Sequence, residues 1–276
     1  MDTKSIWNSL CEKYRYDPQK TDLRQLMSSG MIHVFGNSHA ALFTGAPPSG
    51  NVVPTVKEVP RGRGYTERHP TLTFRTWFLG AVLAYNFFEK YLPKVKRHIE
   101  EKKEWFPPGT KILLMVGEID CRLSIPKQAG LEPNRSRESL VEEVIDRFFR
   151  AGIELKNMGF EPIFFGMNPT TDPDYWFNPH TPRPGNESHQ PDMREDWFKW
   201  GTPEERNSFC LIWNKYMKSK CEAHNFPFVS IYEHVVDENN LAKPEFYIDQ
   251  IHMNHDRCIG FIVEEFKKAN IDVRQS

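Results

Sequence analysis

The sequence predicts a three-layer αβα sandwich around a parallel sheet of about five strands, a flavodoxin-like α/β fold. Three observations carry this. Short apolar runs alternate with stretches of helical period, the order of βαβ units. Lys111 to Val116 (KILLMV) is almost continuously apolar, as in a strand buried on both faces. Ser139 to Met158 sets Leu140, Val141, Val144, Ile145, Phe148 and Phe149 at i, i+3, i+4 spacing.

The elements follow in order. Met31 to Phe35 is a short strand running into Gly36. A weaker strand is expected within residues 51–59. Gly80 to Glu104 is expected as a long helix, aromatic on one side. The KILLMV strand and the Ser139–Met158 helix come next. Glu161 to Phe165 is a third strand after Gly159. Thr202-Pro203-Glu204-Glu205 reads as a capping box with proline at the first helical position. It opens a helix bearing Phe209, Ile212, Trp213 and Tyr216. Phe226 to Tyr232 is a further strand, and His255 to about Ala269 the last helix. Residues 44–70 and 169–201 follow no period and read as long loop insertions in a single domain spanning 1–276.

The chain has 276 residues, 39% hydrophobic and 26% charged, with a formal net charge of -1. It is long enough for a sizeable core. Its charge balance argues against nucleic acid as a partner. No run of about 18 apolar residues predicts membrane insertion. The charged stretch Met1 to Tyr16 lacks a signal-peptide apolar block. Cys11, Cys121, Cys210, Cys221 and Cys258 are odd in number with no CxxC pair, so a reducing, cytoplasmic setting is expected.

The chemistry is expected at the carboxyl ends of the strands, where parallel α/β sheets bind ligands. Gly36-Asn37-Ser38-His39 follows the first strand, which places Ser38 as a nucleophile or, alone, as a helix cap. Asp249-Gln250-Ile251-His252 precedes the last helix. A serine needs a general base, and the base an orienting acid; one short loop here supplies both. Gly117-Glu118-Ile119-Asp120-Cys121-Arg122 clusters charge at the same edge or forms an ordinary turn with Asp120 as cap. Gly80 either exposes a backbone N–H or begins a helix.

Together these blocks resemble the SGNH/GDSL hydrolase family from about Ile32 onward. Gly36 to His39 matches its serine block, Gly80 its glycine block, Gly117 to Asp120 its Gly-x-Asn-Asp block and Asp249 to His252 its Asp-x-x-His block. The resemblance implies a serine esterase or O-acyltransferase with Ser38, Asp249 and His252 as its triad. It implies an oxyanion hole from the N–H groups of Ser38 and Gly80. The Gly-Glu-Ile-Asp-Cys-Arg form also resembles a branch linked to surface polysaccharide synthesis. One departure stands out: Ile119 occupies the oxyanion asparagine's place. Loss of one such donor costs about 10²–10³ in rate. Asn168 or Arg122 is therefore expected to stand in.

The expected substrate is a small molecule or glycan bearing an ester, with no cofactor and no metal. Glu118, Asp120, Arg122 and Trp176 are expected to line its site, Arg122 either binding an acidic group or pairing with Glu118. Residues 169–201 hold Trp176, Trp197 and Trp200 with Tyr175, Arg183 and two histidines, which suits either sugar stacking or hydrophobic cover. Arg61, Arg63, Arg68 and His69 read as a cationic rim or a solvated charge run. The competing readings are a metal held by His252, His255, Asp249 and Asp256, and a catalytically weak protein of the same fold that binds a glycan or a partner.

Overall fold

The computed structural model describes residues 30–45, 65–69, 71–171, 200–248 and 251–273. Five strands run parallel: β1 (Ile32–Gly36), β3 (Phe74–Phe78), β4 (Lys111–Met115), β5 (Glu161–Phe165) and β6 (Phe228–Val229). At one edge β2 (Tyr65–Arg68) pairs antiparallel with β3, giving the order β2-β3-β1-β4-β5-β6. The helices are α1 (Leu92–Glu101), α2 (Ile125–Leu131), α3 (Arg137–Asn157), α4 (Pro203–His224), α5 (Tyr232–Val235) and α6 (His255–Lys268).

Strand residues alternate between two apolar layers. Phe35, Ile112, Leu114 and Phe164 pack under α1, α3 and α4, with Val95, Phe148 and Trp213 opposite them. Val34, Leu113, Met115 and Phe165 face the other way, against Phe43 and against Ile262 and Phe266 of α6. Successive strand side chains point to opposite faces, so a strand covered on both sides must be apolar at every position. That is the physical meaning of KILLMV. Phe164 is wholly buried between Phe148 and Phe149, and truncating such a ring costs about 3–5 kcal/mol.

Several expectations shift. The expected strand within residues 51–59 lies outside the described residues. Strand β3 was hidden in Phe74-Arg75-Thr76-Trp77-Phe78, whose β-branched and aromatic residues suit a pleat. Part of the expected 44–70 loop is strand β2. The long helix begins at a π-helical turn, Phe87–Tyr91, rather than at Gly80. The Asp120 carboxylate captures the N–H groups of Ala84 and Tyr85 at 2.7 and 3.3 Å, drawing residues before that turn away from helical pairing. Strand β6 has two residues, because Ser230 Oγ accepts the Tyr232 N–H and turns the chain into α5. Helix α4 starts at the capping box the sequence announces: Thr202 accepts from Glu205 N–H, and Glu205 accepts from Thr202 N–H.

Candidate active site

Ser38 and His252 are 214 residues apart in the chain and meet at the carboxyl edge of the sheet. His252 Nε2 lies 2.8 Å from Ser38 Oγ. Gly36 makes the serine turn possible: a Cβ there would stand 2.6 Å from the Met115 carbonyl oxygen and 2.9 Å from Ala40 Cβ. Asn37 then caps the short 3₁₀ segment Ser38–Phe43, its Oδ1 accepting from His39 N–H at 3.0 Å. On the other side, the loop before α6 is closed by Ile248 N–H donating to the His252 carbonyl and by an antiparallel bridge between Tyr247 and Met253. Asn254 caps α6, so His252 sits just ahead of a fixed helix start. Asp249 lies outside the described residues.

Gly80 follows β3 by two residues, and β3 is in register with β1 at Phe78 and Gly36. Ser38 follows Gly36 by the same number, so the two come from adjacent strand ends. Gly80 has φ +84°, a conformation that favours glycine, and faces open space.

The turn after β4 behaves differently. Gly117 has φ +133°, and a Cβ on it would lie 2.7 Å from the Trp213 ring. Under that cover, Glu118, Asp120 and Arg122 are all buried. Arg122 donates to Glu118 through Nε (2.6 Å) and Nη2 (3.3 Å). His39 Nε2 lies 2.8 Å from Glu118 Oε2, the oxygen that Arg122 Nη2 also reaches. Asp120 is fully buried, with its oxygens on Ala84 and Tyr85. The three residues expected at a substrate site are thus buried and have found partners within the protein, as desolvated polar groups must. Of the Gly117–Arg122 turn, only Ile119 is not buried.

The electrostatics follow from this burial. The Arg122 and His39 contacts hold the Glu118 carboxyl well below the usual carboxylate range, against its desolvation. His39 is held below the ordinary imidazole value, chiefly by burial, although Glu118 pulls the other way. A 2.8 Å contact between a carboxylate and a histidine suggests an ion pair. Here both effects fit a neutral ring donating Nε2–H to an ionised Glu118. Burial pushes Asp120 up to about 7.

Asn168, after β5, is 4% exposed. It shares a cavity of about 10 Å³ with Asn37, His39, Glu118, Met115 and Met167. That puts it beneath the serine turn. Its Oδ1 and the Asn37 Nδ2 are buried without a hydrogen-bond partner. Arg122 has two of its donors on Glu118, which ties it to the buried set. Trp176 lies outside the described residues, as do Arg61 and Arg63. Trp200 rests near Gly130 of α2.

His255 and His69, expected in a metal set and a rim, pair with each other instead. Their Nε2 atoms are 3.3 Å apart. His69 Nδ1 accepts from the N–H groups of Thr71 and Leu72, so the proton of the neutral ring is on its Nε2. His255 Nδ1 donates to the Leu42 carbonyl, leaving its Nε2 to accept. Sequence spacing held no sign of this pair, or of the contact from His39 to Glu118.

No family model and no curated protein matches the chain. Among solved structures, it is similar to a GDSL-like lipase from Bacteroides thetaiotaomicron (11% identity over 96% of this chain and 97% of that one, TM-score 0.47). It is also similar to a catalytic mutant of an acetylxylan esterase from Geobacillus stearothermophilus (13%, 90% and 98%, 0.43) and to phospholipase A1 from Streptomyces albidoflavus (9%, 88% and 98%, 0.41).

Proposed function

We propose that the protein is a serine-dependent ester hydrolase or O-acyltransferase, and that its substrate is an acylated carbohydrate. The observation that carries the ester chemistry is the 2.8 Å approach of His252 Nε2 to Ser38 Oγ. With its proton on Nδ1, His252 accepts the Ser38 proton as Oγ attacks the ester carbonyl. The carbonyl π electrons move to oxygen, and the N–H groups of Ser38 and Gly80 stabilise that oxyanion. Collapse expels the alkoxide, which takes the proton back from His252. Water or a sugar hydroxyl then attacks the acyl-enzyme by the same steps in reverse. In this reading Asp249 orients His252 and balances its charge. The aromatic residues of 169–201 favour a carbohydrate.

The test is hydrolysis of p-nitrophenyl acetate by the native chain against Ser38→Ala. Equal rates would move the chemistry off Ser38. The second reading, a weakly catalytic glycan- or partner-binding protein, is favoured by Ile119, the half-buried apolar residue where the resemblance implies a donor. It predicts no Ser38-dependent turnover but retained sugar binding.

A further inference from the structure

Glu118, Arg122 and His39 form a buried set that the ester chemistry does not use. The His39 ring centroid is 5.0 Å from that of His252, tilted by 34°. His39 therefore stands between the ion pair and the proposed general base. The charged and titratable groups facing it are Glu118 and Arg122 from the turn after β4 and His252 from the loop before α6. We propose that the Glu118–Arg122 pair is a positioning device for the base, holding His39 as a neutral ring, Nε2–H on Glu118, packed against His252.

The proposal rests on the role given to His252 above. Ester attack turns His252 into an imidazolium, and a second imidazolium 5.0 Å away would oppose that charge. A lone buried carboxylate beside a histidine draws a proton onto it. Arg122 removes that pull by bonding the same carboxylate at 2.6 and 3.3 Å. Because Glu118 stays ionised, it accepts from His39 and fixes the tautomer. Burial of the set acts in the same direction as Arg122. A substrate clamp is the alternative use for Arg122, but its side chain is 4% exposed and committed to Glu118.

The test compares the native chain, Arg122→Met and Glu118→Gln/Arg122→Met. The readouts are NMR titration of the His39 and His252 rings and the pH profile of kcat/KM for p-nitrophenyl acetate. Arg122→Met should raise the His39 titration by about one pH unit and lower that of His252. The ascending limb of the profile should move to lower pH, and the plateau fall about ten-fold. Adding Glu118→Gln should return limb and plateau to within about three-fold of native, because a neutral amide oxygen accepts from Nε2 without drawing a proton. A His39 titration unmoved in Arg122→Met overturns the proposal, as does a double variant no better than the single one. Should Arg122→Met fail to fold, the charge-neutral double variant decides against native: a raised KM marks a substrate clamp and overturns the proposal, and a native limb and KM sustain it. If Ser38→Ala hydrolyses as fast as native, the ester reading fails separately. The ring titrations then decide: a raised His39 value in Arg122→Met sustains the pair's control of that ring, and an unmoved one overturns it.

Discussion

Two turns leave the same sheet edge from adjacent strands, and they do opposite things. The turn after β1 presents Ser38, part-buried, to His252. The turn after β4 carries more charge, yet its Glu118, Asp120 and Arg122 are all inside. The difference is what lies above. Trp213 of α4 sits over Gly117, so polar groups on that turn are desolvated and must pair. Ser38, by contrast, is only part-buried and meets His252 Nε2 at 2.8 Å. Charge at the carboxyl edge of a parallel sheet is thus drawn into internal pairing where a helix covers it.

The largest expected effect tests the presenting turn. Ser38→Ala and His252→Ala should each lower kcat for an ester by about 10⁴–10⁶, and the double variant should be little worse, since the groups act as a unit. Additive losses in steady-state kinetics would break the pairing. On the covered turn the largest effect is on stability. Glu118→Ala leaves Arg122 buried without its carboxylate and should cost about 3–5 kcal/mol, visible as a melting temperature lower by about 10 °C. A loss under about 0.5 kcal/mol would mean that the turn is solvated after all.

The contrast between the turns also marks what the sequence could convey. Apolar runs and helical spacing located β1, β4, β5, α3, α4 and α6, because burial on both sheet faces writes itself into the local pattern. Ser38 and His252 were legible through their spacing from those strands. The role of Glu118 was not. Nothing near residue 118 says that Trp213, 95 positions later, will cover the turn at Gly117, or that His39 will come from the turn after another strand. Pairings set by long-range packing, such as His69 with His255, leave no local period. Likewise β3 follows an irregular stretch that masks its short pattern, and the distant Asp120 displaces the start of α1.

Covered polar groups should also reveal themselves through pH, with opposite signs. Burial raises Asp120 to about 7, whereas an unfolded aspartate titrates near about 3.9. The folded chain holds that proton more tightly, so stability present below about pH 4 is lost as pH rises through 7. Burial and His255 lower His69 to about 4, against about 6.5 unfolded. Stability from that neutral pair is present above about pH 6.5 and lost as pH falls through 4. Each contribution is about 2–4 kcal/mol over its window. In thermal melts from pH 4 to 8, Asp120→Asn should flatten the alkaline decline and His69→Gln the acid one. A slope unchanged by Asp120→Asn would mean that its carboxyl is hydrated.

The smallest expected effect concerns the one half-buried residue of the covered turn. Ile119 is not buried, unlike its neighbours Glu118 and Asp120. It stands where the resemblance implies an oxyanion donor, and its side chain donates nothing. In the proposed mechanism the serine turn and Gly80 supply two backbone N–H groups, and a tetrahedral intermediate carries a full negative charge. Asn168 is a further side-chain amide near this edge, 4% exposed in the cavity it shares with Asn37 and His39 of the serine turn. Ile119→Asn should therefore raise kcat for p-nitrophenyl acetate by about ten-fold with KM little changed, below the 10²–10³ that an optimised donor supplies. Asn168→Ala in the same assay separates the two amides. If it costs 10²-fold while Ile119→Asn gains nothing, Asn168 already serves the oxyanion from below. If neither substitution moves kcat, neither position takes part in the chemistry, and the glycan-binding reading gains the advantage.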